Sequence, residues 1–295
     1  MMQMKDPRKL LKTYGLAPRR SLGQNFLVDS KAPERIVSGA DVSSEDVVLE
    51  VGAGLGTLTA PLVDQAGRVL AVETDPKLVS VLEDQFGSYE NVQIIHGDIL
   101  DLDPLELLGL DVPEDARPLW GGLQPHYLVV ANLPYYITAA VIRHLMESSV
   151  RPARMVLTVQ REVAQRIVAK PGDMNMLAIS VQFYGTPRVL FRLKRGAFYP
   201  VPAVESAVVR VDLHEDPPVE VDHVDTFFRV ARAGFAQRRK QLRNTLSATL
   251  HLAPTAVAEA LDAVDVDPTR RAETLSLLEW GRVVRALSPT LKGGS

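Results

Sequence analysis

Apolar and polar positions along the chain fall into two regimes. Up to about residue 213, short apolar runs alternate with amphipathic stretches, whereas from Val224 the spacing is helical to the end. In the first regime Asp46–Val51, Arg68–Glu73, Val92–Asp98, Tyr127–Val130 and Met155–Val159 read as short buried strands. Ala178–Tyr184, Val189–Phe191 and Ser206–Val211 are predicted as the remaining strands. Helical patterns separate them: from Asp29 or Ser30 to about Gly39, through Thr57, Leu58, Leu62 and Val63, from Pro76 to about Phe86, after Tyr136 to about Met146, and from Gln160 to Ala169. Strands alternating with helices predict an α/β fold with a mainly parallel sheet covered on both faces. In the second regime Phe227, Phe228, Val230, Ala231 and Phe235 form one apolar face, Leu242, Leu246 and Leu250 another, and Val257, Leu261 and Val264 a third, as in a small all-α domain. The expected organisation is a basic arm over 1–20, an α/β domain over 21–213, a proline-bearing linker over 214–223, a helical domain over 224–290 and a disordered tail over 291–295. An irregular insertion rich in Pro, Gly and Asp occupies 101–125.

Composition narrows the function classes. The chain has 295 residues, 46% hydrophobic and 23% charged, enough for about two domains with a sizeable core. It has no apolar run long enough to span a membrane and no secretory pattern at its charged N-terminus, so the cytoplasm is the expected location. The absence of cysteine rules out disulfides, thiolate metal sites and cysteine nucleophiles, and the six histidines show no metal-binding spacing, so no metal is expected. Net charge is −3, but it is unevenly distributed. Arg229, Arg232, Arg238, Arg239, Lys240 and Arg243 fall in a stretch, 226–258, without Asp or Glu, and Lys5, Arg8, Lys9, Lys12, Arg19 and Arg20 crowd the N-terminus. Such separation presents a positive face on an acidic protein, although a solvated helix surface has the same composition.

The chemistry gathers at strand ends. Tyr127–Val130 runs into Ala131-Asn132-Leu133-Pro134-Tyr135-Tyr136. This places an amide, a stiff proline turn and an aromatic at the carboxyl end of a sheet, where open α/β sheets bind ligands. The Asn132 oxygen and the Leu133 carbonyl, the latter pushed to an extended conformation by Pro134, are two acceptors beside the flat face of Tyr135. That set suits a planar group bearing an amine, such as adenine; Asn and Pro are also ordinary turn residues. Upstream, Glu50-Val51-Gly52-Ala53-Gly54-Leu55-Gly56 joins a strand to a helix through a glycine turn. Thr57 stands where a dinucleotide fingerprint has its third glycine, and acidic Glu50 suits a cationic sulfonium better than a pyrophosphate. Glu73 follows Gly52 by roughly 20 residues, the spacing of a carboxylate that takes ribose hydroxyls. Asp98 ends the next strand, placed to accept from an adenine amine. Each acid alone could simply cap the following helix. Phe198-Tyr199-Pro200-Val201-Pro202 forms a rigid loop whose Phe198 either faces the same crevice as Tyr135 or fills the core.

These motifs, with Gly23-Gln24-Asn25-Phe26-Leu27, Phe198 through Ser206, and Phe235-Ala236-Gln237-Arg238-Arg239-Lys240 followed by Arg243-Asn244, occur in an order that resembles the ribosomal RNA adenine N6,N6-dimethyltransferases of the small-subunit type, over Ser21 to Trp280. The resemblance implies a Rossmann-like class I methyltransferase sheet with a C-terminal helical domain. The implied cofactor is S-adenosylmethionine, held by Gln24, Asn25, Leu27, Gly52, Gly54, Glu73, Asp98 and Asn132. Catalysis would fall to Asn132, Leu133, Pro134, Tyr135 and Phe198, with the two aromatics sandwiching a flipped base, and RNA binding to Arg238, Arg239, Lys240 and Arg243. The expected partner is 16S rRNA in the small ribosomal subunit or its precursor, with the enzyme acting as a monomer. Ala53 stands where the family often has proline, Met174-Asn175 where it often has Tyr-Gly, and the 101–125 insertion is longer than usual. Three rivals are a large-subunit (23S) rRNA adenine methylase, an rRNA-binding assembly factor with secondary catalysis, and a dinucleotide oxidoreductase, the last disfavoured by the glycine spacing.

Overall fold

A computed structural model describes residues 6–110 and 127–292, so most of the 101–125 insertion and the end of the 291–295 tail lie outside the described residues. The chain divides into two compact units. One runs through Ala164 and resumes over Thr186–Glu215; the other takes Gln165–Gly185 and everything from Asp216. The boundary at 215/216 falls inside the expected linker, but the excursion over 165–185 leaves the α/β unit, which the expected single span of 21–213 did not anticipate.

The α/β unit is built in chain order from α1 (Pro7–Thr13), β1 (Phe26–Leu27), α2 (Ala32–Gly39), β2 (Val47–Val51), α3 (Thr59–Val63), β3 (Arg68–Glu73), α4 (Pro76–Phe86), β4 (Val92–His96), α5 (Pro104–Leu107), β5 (Tyr127–Asn132), α6 (Thr138–Glu147) and β6 (Arg154–Gln160). After α7 (Arg161–Ile167) and α8 (Met176–Tyr184) come β7 (Gly185–Leu193), β8 (Phe198–Tyr199) and β9 (Ser206–Leu213). Seven strands lie in the order β4-β3-β2-β5-β6-β9-β7. β4 through β6 in that order are parallel to one another, and β9 is antiparallel to β6. Val48, Val69, Val129, Val130 and Val156 are fully buried, as expected of central parallel strands covered on both faces. From β2 the chain first moves out to β3 and β4, then returns to β5 on the other side of β2. That reversal opens a crevice beyond the carboxyl ends of β2 and β5. At the opposite end, Arg154 and Arg210 bind Asp212 and Asp41 in a cluster of ion pairs.

The N-terminal basic arm carries a packed helix, and one local expectation is corrected. In the arm, α1 is capped by the Asp6 side chain, and Leu10 and Leu11 bury against Phe26, Leu55, Leu78 and Val81. Arg8, Lys9 and Lys12 of α1 face water because the apolar pair faces inward. The segment Ala178–Tyr184 is helical, not a strand. Asn175 caps α8 by accepting from the N–H groups of Leu177 and Ala178. Ala178, Ile179, Val181, Phe183 and Tyr184 are all buried, so the helix is apolar around most of its circumference and shows no amphipathic period.

In the second unit α8 is joined by α9 (Val224–Phe235), α10 (Leu242–Leu250), α11 (Pro254–Asp262) and α12 (Leu277–Lys292). Phe183 packs against Phe227 and Phe228, with ring centroids 4.5 and 5.1 Å away. Trp280 is fully buried against Gly234, where an added Cβ would lie 2.3 Å from the indole. Arg238, Arg239 and Lys240 are exposed in the turn between α9 and α10, and Arg243 is exposed on the first turn of α10.

Candidate active site

The crevice encloses about 170 Å³ and lies wholly within the α/β unit. Its walls include Gln24, Asn25 and Leu27 from the segment around β1, Gly52 and Gly54 after β2, Glu73 after β3, Asp98 after β4, and Asn132, Leu133, Pro134 and Tyr135 after β5. All eight residues expected to hold the cofactor therefore converge, together with four of the five expected to carry the chemistry.

The glycine turn forms its floor. Gly52 and Gly54 have φ of +74° and +63°, left-handed backbone that a side chain rarely tolerates. A Cβ at Gly52 would point toward the Asn132 carbonyl at 3.8 Å and the Pro134 ring at 3.9 Å, into the space between the two strand ends. The Gly54 N–H donates to Glu73 Oε2 at 2.8 Å, and the Thr74 and Asp75 N–H groups donate to Oε1, each at 2.9 Å. Oε1 is thus saturated, while Oε2 keeps an acceptor site, so one oxygen of Glu73 remains to receive a hydroxyl. Burial pushes the Glu73 carboxyl above its ordinary value, against the pull of those backbone donors. Asp98 is exposed; one of its oxygens accepts from the Leu100 N–H at 3.0 Å, and the other has no partner among the described residues.

Asn132 is oriented by its nitrogen. Nδ2 donates to the backbone carbonyl of Asn25 at 3.1 Å, which commits the donor end and leaves Oδ1 without a partner among the described residues. The Leu133 carbonyl also accepts no hydrogen bond there, while its side chain is buried. Two unpaired acceptors at the end of β5 are the feature a planar amine needs. Tyr135 is half-buried, and its phenol, 2.7 Å from Ser206 Oγ, is pushed upward in pKa by burial.

Phe198 is the exception. It is 1% exposed and lies in the main apolar core, away from the crevice walls. Antiparallel pairing of β8 with β1 sets Phe198 opposite Leu27 and Tyr199 opposite Phe26. Strand alternation then turns Phe198 inward and leaves Tyr199 at 40% exposure. The expected sandwich of Tyr135 and Phe198 is absent from this conformation. The exposed ring at the crevice mouth is instead Tyr136, which lies over Gly23, a glycine whose Cβ would sit 3.2 Å from it.

Three further groups belong to the site. Glu50 is buried on the crevice wall, hydrogen-bonded by the Thr59 hydroxyl at 2.6 Å, and desolvation pushes its carboxyl up to about 8. Asp75 accepts from Gln24 Nε2 at 3.1 Å and pairs with Arg19, while Gln24 Oε1 accepts from the Arg19 N–H. Both ends of the Gln24 amide are therefore engaged by protein, and its part is to hold the 23–25 segment in place. Ser206, the third, starts β9. The signal for Asp75 in the sequence is its Asp-Pro helix start. Ser206 closes the motif that begins at Phe198, and Glu50 opens the one that runs to Gly56.

An open, mainly parallel sheet with this strand order, a glycine turn after its first long strand and an acid after the next defines a class I methyltransferase, and its crevice fits S-adenosylmethionine. The family described as ribosomal RNA adenine dimethylase matches residues 15–287, and the chain belongs to it. The "Ribosomal RNA small subunit methyltransferase A" of Dehalococcoides mccartyi (strain CBDB1) is 44% identical over 281 residues, covering 95% of this chain and 92% of the relative. The protein of that name from Moorella thermoacetica is 42% identical, covering 94% and 95%. Among solved structures, a dimethyladenosine transferase from Plasmodium falciparum aligns with a TM-score of 0.75 at 21% identity, over 90% of this chain and 98% of that one. The 23S rRNA methyltransferase ErmE aligns with 0.69 at 24%, over 90% and 100%. At those identities the two structures speak to fold alone. Among the described residues no helix is long and apolar enough to cross a membrane.

Proposed function

We propose that this enzyme transfers methyl groups from S-adenosylmethionine to the N6 amines of two adjacent adenosines in 16S rRNA, giving N6,N6-dimethyladenosine during assembly of the small subunit. The observation that carries the reading is the Asn132 amide, whose nitrogen is tied to the Asn25 carbonyl so that its oxygen is left as an acceptor on the crevice wall. The names of the relatives at 42–44% identity support the small subunit as the target.

When bound, S-adenosylmethionine supplies an electrophilic methyl on a sulfonium. The chain supplies placement and polarisation. An adenine N6 amine is a weak nucleophile because its lone pair is delocalised into the ring. In the first transfer Asn132 Oδ1 and the Leu133 carbonyl accept from its two N–H groups and favour the pyramidal form; the sulfonium leaves as a neutral thioether and the ammonium gives up a proton to solvent, and in the second transfer the one remaining N–H is held by one of the two acceptors. Their attraction grows as the nitrogen gains positive charge, so it lowers the barrier rather than only tightening binding. Tyr135 offers a stacking face, worth roughly 1–3 kcal/mol for a base swung out of its strand. Glu73 Oε2 receives a ribose hydroxyl of the cofactor and Asp98 its adenine amine, while Glu50, Gly52 and Gly54 line its bed. The sequence of events needs no metal and no covalent intermediate. Arg238, Arg239, Lys240 and Arg243 hold rRNA phosphates, and the enzyme works as a cytoplasmic monomer on the subunit or its precursor.

Labelled methyl transfer to under-methylated small subunits, followed by nucleoside analysis, tests this. Label in N6,N6-dimethyladenosine of 16S rRNA is expected; label in 23S rRNA, or in another nucleoside, overturns it.

A further inference from the structure

We propose that Ser206 is a positioning residue for methyl transfer: it fixes the ring plane of Tyr135 on which the target adenine stacks. The inference rests on the proposed function, because it presumes that Tyr135 meets the base.

Tyr135 sits in the turn after β5, a segment without regular secondary structure. Nothing in the backbone of such a turn fixes the rotation of the ring about its side-chain bonds. The hydrogen bond of 2.7 Å between its hydroxyl and Ser206 Oγ holds the far end of the ring, and because conjugation keeps the phenol hydrogen in the ring plane, the direction of that bond also orients the plane. Ser206 is itself immovable. It is fully buried, and the β6–β9 ladder sets it opposite Gln160 at the last rung. One residue away the ladder is latched: the Arg161 N–H donates to the Glu205 carbonyl at 2.9 Å, and the Arg161 guanidinium pairs with the Glu205 carboxylate at 2.9 Å. The preceding loop is solvent-facing, with Val201 and Val204 58% and 43% exposed.

The consequence is geometric. Asn132 and Leu133 define where the amine nitrogen sits, and the Tyr135 ring defines the plane of the base. If that plane rotates, the amine leaves the line of transfer even though both acceptors are in place. Loss of the pin therefore lowers kcat and leaves cofactor affinity alone. Phe198 cannot compensate from the other face, since it is buried in the core.

The test is a double-mutant cycle on the full chain: Ser206→Ala, Tyr135→Phe, the double variant and Tyr135→Ala, assayed on under-methylated small subunits, with S-adenosylmethionine affinity measured by titration. Ser206→Ala and Tyr135→Phe are each expected to lower kcat roughly three- to tenfold, the range of one lost hydrogen bond, with cofactor affinity unchanged. The double variant is expected to be as slow as either single, because both remove the same pin. Recovery of activity in the double variant would overturn the proposal: the single defects would then reflect an unpaired buried hydroxyl. Wild-type rates in Ser206→Ala alongside a slow Tyr135→Ala would overturn it while leaving the stack intact. Unimpaired Tyr135→Ala would remove the stack and the proposal together, and absence of transfer by the wild type would instead count against the proposed function. Should Ser206→Ala fold poorly, Tyr135→Phe, which alters no sheet residue, decides the point by its kcat.

Discussion

The crevice and the turn between α9 and α10 treat their polar residues in opposite ways. In the crevice the polar side chains, Asp98 apart, are tied down. Asn132 is held by the Asn25 carbonyl, Glu73 by three backbone N–H groups, Gln24 by Asp75 and the Arg19 N–H, and Glu50 by Thr59. In the helical unit Arg238, Arg239 and Lys240 stand in a solvent-facing turn without an ion pair among the described residues. Methyl transfer needs atoms aligned to a fraction of an ångström, so its groups are fixed before substrate arrives. Phosphate attraction acts over the Debye length and needs only charge and freedom to adapt. Fixed side chains in the crevice and unpaired ones in the turn follow from the two kinds of work.

The largest effect is expected at Asn132. Removal of its acceptor by Asn132→Ala is expected to lower kcat by about 10²–10³-fold, as for other preorganised groups that meet developing charge. Cofactor affinity should fall only modestly, because Glu73, Asp98 and the glycine turn are untouched. Steady-state transfer on small subunits, paired with S-adenosylmethionine titration, separates the two effects. An active Asn132→Ala enzyme would mean that fixed polar groups in the crevice are structural.

The fixed carboxyl of Glu50 makes stability depend on pH. Its carboxyl is raised by desolvation to about 8 in the folded protein, while the unfolded chain titrates near the ordinary value of 4.5. Below 4.5 both states carry the proton, and stability from this group is fully present. Between 4.5 and 8 the unfolded state releases its proton and the folded state retains it, so stability falls as pH rises. Glu50→Gln keeps an oxygen to accept from Thr59 and cannot ionise. It should match the wild type near the lower of those values and exceed it above the higher by roughly 2–3 kcal/mol, less than the full shift implies because the fold relaxes around the charge. Urea midpoints measured on either side of the window, at about pH 5 and about pH 8.5, check this. A difference independent of pH would show that Glu50 ionises as readily in the fold as in the unfolded chain.

Much of the crevice was legible because its signals are local. Glycines after β2, acids after β3 and β4, and Asn-Leu-Pro-Tyr after β5 each mark a strand end within a few residues, and parallel topology brings strand ends together. The failures came from pairings that no local window contains. Phe198 turns inward because β8 pairs with β1, far earlier in the chain. Asp75 caps α4 as its Asp-Pro sequence suggests, but its second oxygen reaches back to Gln24. The helix α8 reads as a strand in the sequence because an all-round apolar segment has no period to distinguish the two, and the cap at Asn175 is the one local clue.

The smallest effect is expected in the exposed basic turn. Arg238→Glu with Arg239→Glu should weaken binding to small subunits by roughly tenfold or more at low salt, and the slope of log affinity against log salt should flatten by about 0.7–0.9 for each phosphate no longer neutralised. Both side chains are exposed, so the fold should be unaffected. The signature is the slope. Removal of a packed or base-specific interaction lowers affinity equally at every salt concentration, whereas removal of phosphate pairing is large at low salt and disappears as salt rises. Saturating subunit should restore kcat, because the crevice keeps all of its fixed groups. If affinity and slope are both unchanged, the turn between α9 and α10 is an ordinary solvated surface, and the freedom of its side chains has no bearing on RNA.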